Sequence, residues 1–155
     1  MDEPATIAWK YVANLISVED LPMLAAHLLT VGQDSPSLRD LAGRSRHEHP
    51  ADLRQLFGHT MEELGIQIPD YETAERRFLH HMATELSSGA LSPKIAAHRV
   101  WQGIEALTDP EREFVAAVGL EYHLDFMSPD EVRAWEKAVR LTAKNLAGTA
   151  SSDPQ

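Results

Sequence analysis

Histidine and arginine supply most of the side chains in this sequence whose type and spacing could do chemistry. Eight histidines occur, and His80-His81 is the most visible pair. Neighbouring residues on a helix point about 100° apart, so the two rings cannot grip one ion together. His81 and Glu85 are four residues apart and could share a ligand, but a metal would need a third donor from another element. No His-x-x-x-His and no Glu-x-x-His occurs, which removes the zincin helix and the usual di-iron bundle motif. The pair His81 and Glu85 is therefore a weak metal alternative, and no cofactor is implied.

A second constellation is the loop His47-Glu48-His49-Pro50, with Arg39, Arg44, Arg46 and Arg54 around it. Cationic side chains next to the free amides of a helix start are the chemistry of anion and phosphate binding. Arg44, Arg46, His47 and His49 are the candidate residues for such a site. Leu38-Arg39-Asp40-Leu41-Ala42 has the look of a first helix of a helix-turn-helix. The helix that follows starts at a proline and carries Asp52, Glu62 and Glu63, which gives little to meet phosphate and weighs against nucleic acid.

The third constellation is a charge contrast. Residues 105–131 hold eight acidic side chains and one basic one, Arg112. Arg133, Lys137, Arg140 and Lys144 then recur at intervals of four, three and four, which places them in one stripe of a helix. An acid-rich helical surface of this kind suits docking of a basic partner. Glu111, Glu113, Glu121 and Asp125 are the candidate contact residues. Opposite charges fix orientation and speed encounter more than they add affinity.

Composition narrows the remaining classes. The formal net charge is −10 over 155 residues, which disfavours nucleic acid and anionic membrane surfaces and favours basic partners. No cysteine occurs, so disulfides, thiolate metal sites and cysteine nucleophiles are excluded. No phosphate-binding glycine loop and no Gly-x-Ser-x-Gly elbow is present. No apolar run approaches the ~18 residues of a membrane span, and the acidic Met1-Asp2-Glu3-Pro4 start is unlike a signal peptide. The expected setting is cytoplasmic.

These side chains must be positioned by helices. Pro4, Pro22, Pro36, Pro50, Pro69, Pro93, Pro110 and Pro129 sit at or near helix starts, where a missing N–H costs nothing. Ser35, Ser92, Asp109 and Ser128 precede four of them as capping residues, and Ser128/Glu131 and Thr108/Glu111 have capping-box spacing. Gly32, Gly43, Gly65, Gly89 and Gly148 mark helix ends. Apolar spacing then predicts helices at about 4–16, 20–31, 36–43, 50–64, 70–88, 93–107, 110–126 and 129–147. The first presents Ala8, Tyr11, Val12 and Leu15, and the fifth Tyr71, Ala74, Phe78, Met82 and Leu86. With Tyr71 taken as the centre of that face, His80 lies opposite it and His81 at its edge. The sixth is apolar over a wide arc that includes Ile95, Val100, Trp101, Ile104 and Leu107. Gly58, Gly103 and Gly119, inside helices, are expected to mark close helix packing.

The fold expected is all-α: a compact bundle of about seven to eight short helices, antiparallel neighbours in sequence, with no sheet. The expected domain is 1–148, with a flexible tail at 149–155. The function expected is an acidic interaction module (adaptor, antitoxin, immunity or regulatory protein). A helical anion, small-molecule or metal binder, or an enzyme, is the alternative, and self-association is left open.

Overall fold

A computed structural model describes residues 3–99, 106–119 and 124–150 of the chain. Among these residues there are eight α-helices and no strand. They are α1 (Pro4–Val12), α2 (Leu21–Thr30), α3 (Pro36–Ala42), α4 (Pro50–Glu63), α5 (Tyr71–Ser88), α6 (Pro93–Arg99), α7 (Asp109–Gly119) and α8 (Pro129–Ala150). Short 3-10 turns lie at Val18–Asp20 and at 124–126. Pro4, Pro36, Pro50, Pro93 and Pro129 are each the first residue of a helix, and Pro22 and Pro110 the second. No described helix is long and apolar enough to cross a membrane.

Caps account for most of the helix boundaries. The Ser35 hydroxyl accepts the Leu38 N–H at 3.1 Å, and Asp70 accepts the Thr73 N–H at 2.8 Å. Ser128 and Glu131 form a reciprocal box: the Ser128 N–H donates to Glu131 at 2.8 Å, and the Glu131 N–H donates to Ser128 at 3.3 Å. Helix α4 ends on Gly65, at φ +74°, with the Gly65 N–H on the Glu62 carbonyl and the Ile66 N–H on the Met61 carbonyl. This pair of bonds satisfies carbonyls that the helix itself leaves open.

Helix α1 ends in the same way but without a glycine. Asn14 takes φ +62°, its N–H bonds the Tyr11 carbonyl, and the Leu15 N–H bonds the Lys10 carbonyl. Asparagine tolerates this left-handed conformation better than other side chains. The helix expected to 16 therefore stops at Val12, and Leu15 is 46% exposed rather than in the core. At the other end of the chain Gly148 lies inside α8, which runs on to Ala150, so Thr149 and Ala150 are helical. Of the wide arc, Val100, Trp101 and Ile104 lie outside the described residues, as does Gly103, while Ile95 and Leu107 are 48% and 56% exposed rather than in the core. Among the described residues neither Gly58 nor Gly119 sits in a tight helix contact, because a Cβ added at either position meets none of them within 4 Å.

The chain groups into two compact units, Met1–Ala74 and Glu75–Gln155. The boundary falls inside α5, where no proline or glycine marks it. Unit 1 is built around Ile7 and Ala8 of α1, Leu21, Ala25 and Leu28 of α2, Leu38 and Leu41 of α3, and Leu53, Phe57 and Met61 of α4. Tyr11 packs on Phe57 with ring centroids 4.8 Å apart, a tilted arrangement that adds to the area buried. Unit 2 buries Phe78, Leu79, Met82 and Leu86 of α5, Ala96 and Ala97 of α6, Phe114 and Val118 of α7, and Trp135, Val139, Ala143 and Leu146 of α8.

Candidate functional site

Helix α7 begins with Asp109, and Glu111 sits in its first turn. Glu111, Phe114 and Val118 are spaced by three and four residues, so they share one helical face, and that face is turned inward. The Glu111 side chain is 0% exposed. A buried carboxylate is tolerated only when it is paired and hydrogen-bonded, and Glu111 is both. From α5, Arg76 donates Nη2–H to Oε1 at 3.0 Å and Nε–H to Oε2 at 3.3 Å, a bidentate clasp. The Thr108 hydroxyl donates to Oε1 at 2.8 Å and accepts the Glu111 N–H at 3.4 Å. His80, one turn along α5 from Arg76, brings Nε2 to 3.9 Å from Oε2. Burial by itself pushes the Glu111 carboxyl up, and the Arg76 guanidinium, the Thr108 hydroxyl and the His80 ring outweigh it. The net result is a carboxyl held below its ordinary value.

This arrangement corrects one of the four expected docking residues. Glu111 is a buried strut between α5 and α7 and has no surface to offer a partner. The reason is visible in its own helix: the residue three before Phe114 and seven before Val118 has to face the core with them. Glu121 lies outside the described residues. Glu113 and Asp125 are exposed, and neither has a hydrogen bond or ion pair among the described residues. Their acidic neighbours are already engaged. Asp109 accepts from Arg112 at 2.6 Å, Asp130 is bound by Arg133, and Glu131 closes the capping box. Beside Asp125 in the 3-10 turn, Phe126 is 88% exposed.

His80 also moves from its expected place. Taking Tyr71 as the centre of the apolar face put His80 on the far side of α5. Tyr71 is 52% exposed, and Leu79 and Ala83 are buried beside Ala74, Phe78, Met82 and Leu86, which widens the inward arc toward His80. His80 therefore flanks the core and meets Glu111. His81 lies 3.2 Å from Glu85 as a half-exposed pair within one helix. Among the described residues no group of three or more histidine, aspartate or glutamate side chains could hold a metal.

The arginine-rich loop is locally neutralised. Arg44 is bonded to Asp40 at 3.0 Å and to Glu48 at 3.2 Å, and Arg46 lies 3.6 Å from Glu19. The amides that open α4 are also taken. The Ala51 N–H donates to the His49 ring at 3.2 Å, and the Asp52 N–H donates to the His49 carbonyl at 3.0 Å. His47 is exposed and uses its backbone N–H on the Ser45 hydroxyl at 3.1 Å. An open groove of about 390 Å³ runs beside Arg44 and His59, but Glu48 and Asp52 line it too, so it offers an anion no net positive field.

Arg76, Thr108 and Phe126 are absent from the expected site residues. The Thr108/Glu111 capping spacing was the one signal for the buried cluster. Arg76, 35 residues away along the chain, had none. Compared with protein-family models, with curated proteins and with solved structures, the chain matches none.

Proposed function

We propose that the chain is an acidic, helical protein-interaction module that engages a basic partner through the outer surface of unit 2, a reading that suits a cytoplasmic setting. The observation that carries it is the turn before α8. There Asp125, an exposed carboxylate with no ion pair among the described residues, adjoins a phenylalanine that is 88% exposed. Glu113 adds an unengaged carboxylate on α7. Aromatic side chains ringed by charge are the usual anchors of protein interfaces, with the aromatic giving affinity and the charges giving encounter rate and orientation. The net charge of −10 extends the same preference to the whole chain. The anion-binding alternative has less behind it, because Arg44 and Arg46 already face carboxylates and the α4 amides are capped.

Affinity capture from cytosol with three baits tests this: the natural chain, Glu113→Lys with Asp125→Lys, and Phe126→Ser. A basic protein held at low salt should be released as salt rises, since exposed charges are screened beyond ~8 Å at physiological ionic strength. It should also be lost from both altered baits while far-UV helicity is unchanged. Capture that is indifferent to both substitutions contradicts the proposal.

A further inference from the structure

Helix α8 shows two chemistries on its outer face. Trp135, Val139, Ala143 and Leu146 are buried, which fixes the inward side. Opposite them run Arg133, Lys137, Arg140 and Lys144, all exposed. Arg133 is tied to Asp130, and Arg140 donates to the Leu86 carbonyl at 2.9 Å. Lys137 and Lys144 have no hydrogen bond or ion pair among the described residues. Alongside this basic stripe, at a spacing of four and three, lie Ala134, Ala138 and Leu141, also exposed, with Leu141 at 58%. The face is thus an apolar strip with one basic edge, and residues 137–150 contain no acidic side chain.

The turn at 124–126 is its chemical complement: an apolar knob, Phe126, next to an unengaged carboxylate, Asp125. The two do not meet within one chain, since Phe126 is 88% exposed and Ala134, Ala138 and Leu141 are exposed as well. They can meet between chains. We propose that a second copy of this chain is the partner and that its α8 stripe supplies the basic surface: Phe126 of one copy seats on the Ala134–Ala138–Leu141 strip of the next, with Asp125 facing Lys137 and Lys144. This rests on the reading that the surface around Asp125 engages a basic partner, and it names that partner.

The contact joins two different patches, so it is head-to-tail. It closes into a ring or continues as an open chain of copies according to the rotation between neighbours.

Sedimentation velocity of the full chain, from low micromolar to millimolar concentration and at two salt levels, reads the association directly. The natural chain should shift from monomer to larger species as concentration rises, and less so at high salt. Phe126→Ser should weaken association by ~10-fold or more, as expected for exposing a buried aromatic again. Lys137→Glu with Lys144→Glu should be monomeric, and so should Asp125→Lys, while an equimolar mixture of the two should associate because the charges are exchanged. Circular dichroism controls for folding. A natural chain that stays monomeric throughout overturns self-association; if Asp125-dependent capture of a different basic protein persists, the interaction-module reading survives it. Association that ignores Asp125→Lys and the mixture overturns both the pairing proposed here and the role given to that surface.

Discussion

The two compact units solve the problem of holding helices together with different chemistry. Unit 1 relies on apolar burial. Its buried polar groups are Ser35, which caps α3, and Thr60, which bonds the Leu56 carbonyl of its own helix at 2.8 Å. Its ion pairs, such as Asp34–Arg39 and Arg44–Asp40, lie at the surface. Its polar link between helices, Glu63 of α4 accepting from the Ser37 N–H of α3 at 2.9 Å, is exposed too. Unit 2 uses partly buried polar bonds between helices distant in sequence. Arg76 reaches Glu111 across 35 residues, the Trp135 indole N–H reaches the Ala117 carbonyl across 18 at 2.8 Å, and Arg140 reaches the Leu86 carbonyl across 54. Surface pairs contribute little because water competes for both partners. A buried carboxylate behaves differently, since losing its partner leaves a desolvated charge without compensation. The lesson is that unit 2 should be the more sensitive unit to single polar substitutions.

The largest expected effect breaks this contrast if it fails. Arg76→Ala leaves Glu111 buried without its main counter-charge. It should cost roughly 2–3 kcal/mol, below the full value for a buried pair because Arg76 itself keeps solvent contact. Arg76→Met combined with Glu111→Leu should recover most of that loss, because both charges are then gone. Arg44→Ala, which removes a pair of similar geometry from the surface of unit 1, should leave the melt unchanged. Denaturant titration of the four proteins reads all of this, and equal losses for Arg76→Ala and Arg44→Ala would dissolve the distinction.

The smallest effect sharpens it from the side of unit 1. Gly58 lies inside α4, and a Cβ there meets nothing within 4 Å. Gly58→Ala should stabilise the protein by ~0.5–1 kcal/mol through helix propensity alone. Thermal unfolding checks it. A loss of stability would mean that α4 does need a glycine for close approach at this position.

The same division explains what could be read from the chain. Helix number and most helix starts were legible, because proline, serine and aspartate act through bonds within one turn. Ends marked by Gly32, Gly65 and Gly89 were legible for the same reason, each glycine taking positive φ. Asn14 was missed although it does the same work, since its preference for that conformation is weaker than that of glycine. Gly148 misled in the other direction: a glycine ends a helix only where the chain turns, and α8 continues through it. In unit 2 the acidic character of 105–131 was plain, but acid count says nothing about orientation. Spacing relative to Phe114 and Val118 would have turned Glu111 inward. Its partner Arg76 could not be found by local reasoning, because the bond depends on how α5 meets α7.

The account turns on Glu111 being a buried, arginine-held carboxylate rather than a docking residue, and an NMR titration of its side-chain carboxyl carbon tests that most directly. Its folded value is lowered, so the stability it contributes is fully present above the ordinary carboxylate range and is lost as pH falls below that range through the lowered folded value. The predicted result is titration below the ordinary glutamate range, with an upward move in Arg76→Ala, where less remains to offset burial. A Glu111 that titrates in the ordinary glutamate range, with or without Arg76, would contradict the account.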